Sequence, residues 1–184
     1  MRAFAGLSMA SAAISIDLIL PAFGRIRDDL GLAPGSAATA GLVTAFFLGM
    51  AVGPIPFGLL ADRFGRRWIL VATCLLFVSG AVGAAVVPSL HWMLWARFVW
   101  GLGAAGLRVI AVATIRDRFV GDDMAREMAF AMAVFVCVPV VAPALGAGLI
   151  KVMPWRGTFL ICAAFGVIIA LWSLRLPETL SVER

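Results

Sequence analysis

Six apolar runs follow one another along the chain, joined by short polar connections. They lie at about 3–23, 37–60, 68–87, 91–115, 127–152 and 157–176. A bilayer-crossing helix needs roughly 20 mostly apolar residues, and each run has about that length. The expected fold is therefore all-α, six transmembrane helices in one bundle. Composition agrees: 63% of residues are hydrophobic and 14% charged, against roughly 45–50% and about 25% in soluble domains. Six spans within 184 residues leave no room for a soluble domain. A net charge of +5 would point to nucleic acid in a soluble chain. Here basic loops that orient membrane helices account for it, and no nucleic-acid partner is expected.

The connections set an orientation. With the N-terminus in the cytoplasm, Arg2, Arg63, Arg66, Arg67, Arg116, Arg118, Arg126, Arg175 and Arg184 fall on that side. Only Arg25, Arg27, Lys151 and Arg156 fall on the other. Nine cations against four favour both termini in the cytoplasm, in the cell's inner membrane. Trp92, Trp95 and Trp155 then mark the outer interface, and Trp68 and Trp172 the inner one. The first run carries an acid and a proline and lacks a clear small-residue cleavage site, so it reads as a span and not a signal peptide.

Small residues recur at helical spacing. Gly41, Ala45, Gly49 and Gly53 form a stripe on the second helix, and Gly6, Ala10, Ala13, Asp17, Pro21 and Gly24 share a face of the first. Such stripes let helices approach closely in lipid. Cys74, Cys137 and Cys162 lie in apolar runs without metal-like spacing and read as packing residues. No metal set, nucleotide-binding loop or catalytic triad is present, so no cofactor and no enzymatic activity are expected. His91 reads as a solvated interfacial residue, and Met50, Met128 and Met132 as core or adaptable cavity lining.

Charge inside the spans is expensive and by default functional. Three such residues occur: Asp17, Arg97 and Arg108. Asp17 and Arg97 each lie about six residues, or about 9 Å, from the outer ends of antiparallel helices, so they are expected to face each other directly or through water. Protonating Asp17 would release Arg97. Arg97, Gly101, Ala104 and Arg108 share a face of the fourth helix and are expected to look into one substrate cavity. A static pair that only fixes packing is the alternative reading.

Between the second and third runs, Gly58, Leu60, Ala61, Asp62, Arg63, Gly65, Arg66, Arg67 and Leu70 fill every position of the pattern G-x-L-A-D-R-x-G-R-R-x-x-L. Gly58 is expected to end a helix against a close neighbour, and Gly65 to supply the positive φ of a tight reversal. This connection resembles the loop between the second and third helices of the major facilitator superfamily. In the fourth helix Arg97, Gly101, Gly103, Ala104 and Ala105 resemble its R-x-x-x-G-x-G-A-A motif, with Trp100 where glutamine is usual. Pro139, Pro143, Gly146 and Gly148 partly resemble the helix-5 antiporter motif, with Ala142 and Ala147 in place of two of its glycines. By their own chemistry the two prolines should bend that helix.

Asp17 to Ala22, Ile115-Arg116-Asp117, Trp155-Arg156 and Leu176-Pro177-Glu178-Thr179-Leu180 narrow the resemblance to the Bcr/CflA-type drug-resistance subfamily. Arg108 departs from it, since members commonly carry arginine one turn later, where Val112 stands.

The resemblance implies the N-terminal half of a twelve-helix transporter, with the C-terminal half absent and a substrate site between halves. It implies drug:proton antiport by alternating access. Asp17 and Arg97 would couple the proton, and Arg108 and Gly101 would line the cavity. Gly58, Asp62, Arg63, Gly65, Arg66, Arg67 and Asp117 would gate the two conformations, with Arg66 pairing to Asp117 within this half. Partners would be the lipid bilayer, protons, a small substrate and the missing half or a second copy. A sugar or amino-acid permease, and a truncated non-transporting subunit, are the alternatives.

Overall fold

The computed structural model describes residues 2–33 and 36–175. Among these residues eight α-helices build the bundle: α1 (Arg2–Asp17), α2 (Phe23–Asp29), α3 (Ala40–Val52), α4 (Pro54–Phe64), α5 (Arg66–Val86), α6 (Leu90–Arg118), α7 (Gly121–Val152) and α8 (Trp155–Ser173). α1 continues through a 3-10 turn into α2, and α3 runs on into α4. Among the described residues this makes six stretches long and apolar enough to cross a membrane. Pro34-Gly35, where the sequence predicts a turn, and the Leu176 to Leu180 motif, including the expected end of the sixth helix, lie outside the described residues.

Several connections are more helical than the sequence implied. α6 continues to Arg118 and α7 starts at Gly121, so most of the charged run 116–126 sits on helix ends. Arg116 and Arg118 occupy the last turn of α6, and Asp122 and Asp123 the first turn of α7. Each sign opposes the dipole of its helix terminus. Pro139 and Pro143 fall inside α7, which stays a single helix from Gly121 to Val152.

α6 is the axis of packing. Its partners are α5, α3 and α1, while α8 packs on α5 and α7 on α1. In the most apolar stretch of each span, 67% of the first and 61% of the fourth is buried, against 22% of the second and 11% of the fifth. The second and fifth spans therefore leave broad apolar faces exposed, including Ile55, Leu59, Val136 and Val140.

Glycine contacts explain the closeness of α3 and α6. A Cβ on Gly49 would stand 2.2 Å from the Phe98 carbonyl oxygen, and one on Gly101 would stand 2.1 Å from that of Phe46. Backbone meets backbone in both directions, which only the smallest residue permits. The side chain of Trp100 fills the centre on the neighbouring face of α6. Its ring makes edge contacts with Phe46, Phe77 and Phe159 at centroid distances of 6.0, 5.7 and 5.8 Å, which joins four spans. The indole at the position where glutamine is usual is thus a core residue. Cys74 and Cys162 are buried, whereas Cys137 is exposed on α7.

Candidate functional site

The break between α1 and α2 begins with proline chemistry. Pro21 has no N–H to give the Asp17 carbonyl, so the α-helical ladder cannot continue through it. The chain tightens: Ile19 N–H donates to the Ile16 carbonyl at 3.3 Å, and so the Ser15 carbonyl loses its usual i+4 donor. Arg97 supplies one. Its Nη1 donates to the Ser15 carbonyl at 2.9 Å, and its Nε donates to the Leu42 carbonyl of α3 at 3.1 Å. The guanidinium also lies 4.7 Å from the Phe46 ring and 4.8 Å from the Trp100 ring. Arg97 is fully buried.

This corrects the expected Asp17–Arg97 pair. Asp17 is the last residue of α1, half-buried beside the break. Among the described residues it makes no ion pair with Arg97, whose Nε and Nη1 go to two backbone carbonyls while Nη2 is buried without a partner. Nor do Arg97 and Arg108 look into one space. Arg97 and Gly101 are buried between helices, while Arg108 lines an open cavity of about 680 Å³ between α3, α4 and α6. Arg108 lies over Phe135 of α7, 5.2 Å from its centroid.

The same cavity reaches Gly58, Asp62, Arg66, Arg116 and Asp117. Here the expected loop is nearly absent. α4 runs to Phe64 and α5 starts at Arg66, so Gly65 alone makes the reversal, at φ 88° and ψ 146°. That backbone region is essentially restricted to glycine. Gly58 is not a helix terminus. It lies within α4 on the cavity wall, and an added Cβ would meet nothing within 4 Å. Arg66 Nη1 is 2.5 Å from Asp117 Oδ2, and its Nη2 is 3.7 Å from Asp62 Oδ1. Arg66 thus joins α5 to α6 within this half. Arg67 donates to the Leu174 carbonyl at 3.1 Å, and Arg63 is exposed over Phe64.

Residues 5–184 match the Major Facilitator Superfamily. The chain belongs to that family. It is 32% identical over 179 residues to the uncharacterized MFS-type transporter YdgK of Bacillus subtilis, covering 93% of this chain and 43% of that protein. It is 30% identical over 165 residues to the bicyclomycin resistance protein homolog of Haemophilus influenzae, covering 89% and 41%. Among solved structures it superposes on the D-xylose-proton symporter with a TM-score of 0.83 at 15% identity, covering 97% of this chain and 48% of that one. The chain spans less than half the length of these relatives.

In α7 the two glycines that follow Pro143 differ in their surroundings. Gly146 packs on the backbone of Leu18, where an added Cβ would come within 2.2 Å of the carbonyl oxygen. Gly148 has nothing within 4 Å of an added Cβ, so only one of the pair is a contact. Pro143 is half-buried and Pro139 exposed.

Two acidic sites escaped the sequence reading. Glu127 of α7, 5% exposed, pairs with Arg2 at the start of α1. The signal was its helical spacing with Met124 and Ala131, which pack in one small apolar cluster. At the other end of the bundle Asp29 accepts from Trp155 Nε1 at 2.9 Å and from Arg156 Nη1 at 2.7 Å. Trp155 is 4% exposed, packed into the bundle at the start of α8. Trp68, Trp92 and Trp95 are exposed.

Proposed function

We propose that this chain forms one half of a proton-coupled exporter of small drugs or metabolites, working by alternating access in the cytoplasmic membrane with both termini inside. The observation that carries this is the interruption of the first span at Asp17. A half-buried carboxylate stands beside a helix break whose freed carbonyl is held by a fully buried arginine. Discontinuous helices near mid-membrane are where transporters hold their coupling ions. Asp17 takes the proton in this reading. Arg97 acts on it through the backbone, by fixing the break two residues away. The second half, in the same protein or as a second copy, covers the exposed faces of the second and fifth spans.

Gly58 to Arg67 with Asp117 is the gate in this reading. The Arg66–Asp117 pair holds α5 to α6 while Asp62, exposed on α4, remains available to the other half. Relatives named for bicyclomycin resistance and multidrug resistance support export as the direction. The test uses the intact protein in proteoliposomes, with dye efflux driven by an imposed pH gradient. Efflux that depends on the gradient and falls to background in Asp17→Asn supports the reading. Full gradient-driven efflux by Asp17→Asn overturns the role of Asp17.

A further inference from the structure

We infer that the cavity beside Arg108 takes small amphipathic anions, and that Arg108 sets this charge preference. The inference rests on the export reading above for its direction of transport. The cavity holds about 680 Å³, room for a compact ring system with one polar group. Met50, Pro54, Ala105, Val109 and Val112 give it an apolar wall. Arg108 enters that wall ten residues before the end of α6 at Arg118, about 15 Å along the helix. A cation at such depth needs compensation.

Among the described residues no acid pairs with it. Among the described residues Arg108 makes no ion pair and no hydrogen bond; one face of its guanidinium lies over Phe135. An aromatic ring offsets part of the charge and leaves the N–H edge free. Arg97 differs, since its Nε and Nη1 donate to the carbonyls of Leu42 and Ser15. Of the two acids on the cavity, Asp117 pairs with Arg66 at 2.5 Å and Asp62, exposed, lies 3.7 Å from the same guanidinium. Arg116, two turns beyond Arg108 on the same face, also lines the cavity and makes no ion pair among the described residues. Three arginines, 66, 108 and 116, thus stand against two aspartates, 62 and 117.

A carboxylate or sulfonate fits this arrangement. It would take paired N–H bonds from the planar guanidinium, while its hydrocarbon body covers the apolar wall. Arg116 nearer the mouth would draw anions inward along the same stripe. A primary amine of the same shape meets an uncompensated cation and is rejected. The site therefore selects by charge at one end and by apolar fit at the other.

The experiment is calorimetric titration of the intact protein in detergent with three isosteres: 2-naphthoate, 2-naphthamide and 2-naphthylmethylammonium. Naphthoate is expected to bind about tenfold or more tighter than the amide, the scale of a charge-assisted bidentate contact, and the ammonium more weakly than either. Arg108→Gln should erase the naphthoate preference while the amide binds as before, and Arg108→Lys should keep part of it. Equal or tighter binding of the amide or ammonium to the unsubstituted protein overturns the inference. So does an Arg108→Gln protein that still prefers naphthoate. If Arg108→Gln no longer folds, the wild-type ranking and Arg108→Lys decide. Gradient-driven dye efflux without anion preference would sink this site and leave export standing. Anion-selective binding without gradient-driven efflux would do the reverse.

Discussion

Arg97 Nη1 lies 2.9 Å from the carbonyl oxygen of Ser15 and donates a hydrogen bond to it. The residue it was expected to meet, Asp17, is two positions further along the same helix. The contact is with backbone, so its dependence on side chains is unusual. Arg97→Lys keeps the charge but gives up the fork that reaches both α1 and α3. A loss of about 1–3 kcal/mol is expected from unsatisfied buried groups, read as a lower midpoint of thermal unfolding in detergent. Ser15→Ala leaves the carbonyl in place and should cost clearly less. Equal losses for the two would contradict the assignment.

Close approach of α3 and α6 gives a ranking among glycines. Gly49→Ala and Gly101→Ala each push a methyl into backbone, and overpacking of this kind costs about 1–3 kcal/mol or more. Gly58→Ala meets open space and should be neutral, or stabilising by up to about 1 kcal/mol through helix propensity. Unfolding midpoints of the three variants check the order.

Arg66 divides its charge unequally between two acids. A double-mutant cycle on Arg66 and Asp117 should return a coupling toward the upper end of the roughly 0–1 kcal/mol found for interfacial pairs. The cycle on Arg66 and Asp62, at 3.7 Å, should return near zero. A larger Asp62 coupling measured within this half would mean that the observed geometry is not the dominant one.

Arg2 and Glu127 should respond asymmetrically. Arg2→Ala leaves a buried carboxylate without its cation, whereas Glu127→Gln removes the charge that needed compensation. Arg2 is itself 66% exposed, so its loss should cost only about 1–2 kcal/mol, below the range for a fully buried pair. Glu127→Gln should cost less than that, by the same unfolding assay. The reverse order would show that Glu127 does more than balance Arg2.

The spans were legible because length and hydropathy determine them directly. The small-residue stripe of the second helix was legible too, and Gly49 and Gly53 do meet α6. Helical spacing placed Arg97 and Arg108 on one side of α6 but not their surroundings, since that depends on which neighbours crowd each turn. The free Ser15 carbonyl at the break before Pro21 was not foreseen, because backbone acceptors leave no mark in a side-chain pattern. Gly65 was read correctly as the reversal, yet its neighbours were read as loop. Their charge spoke for water, while helix termini accept charge as readily as loops do. Glu127 was overlooked because it stands at the first position of the fifth apolar run, beside the charged connection 116–126, and its partner lies 125 residues away.

Cys137, alone of the three thiols, projects from the fifth span. The chain thus carries its own chemical clock for that surface. Attack on a maleimide requires a thiolate the reagent can reach, so in detergent the alkylation rate at this one sulfur falls whenever another body of protein settles over α7. Mass spectrometry would read that rate without any engineered cysteine, because Cys74 and Cys162 are shielded by the bundle's own interior.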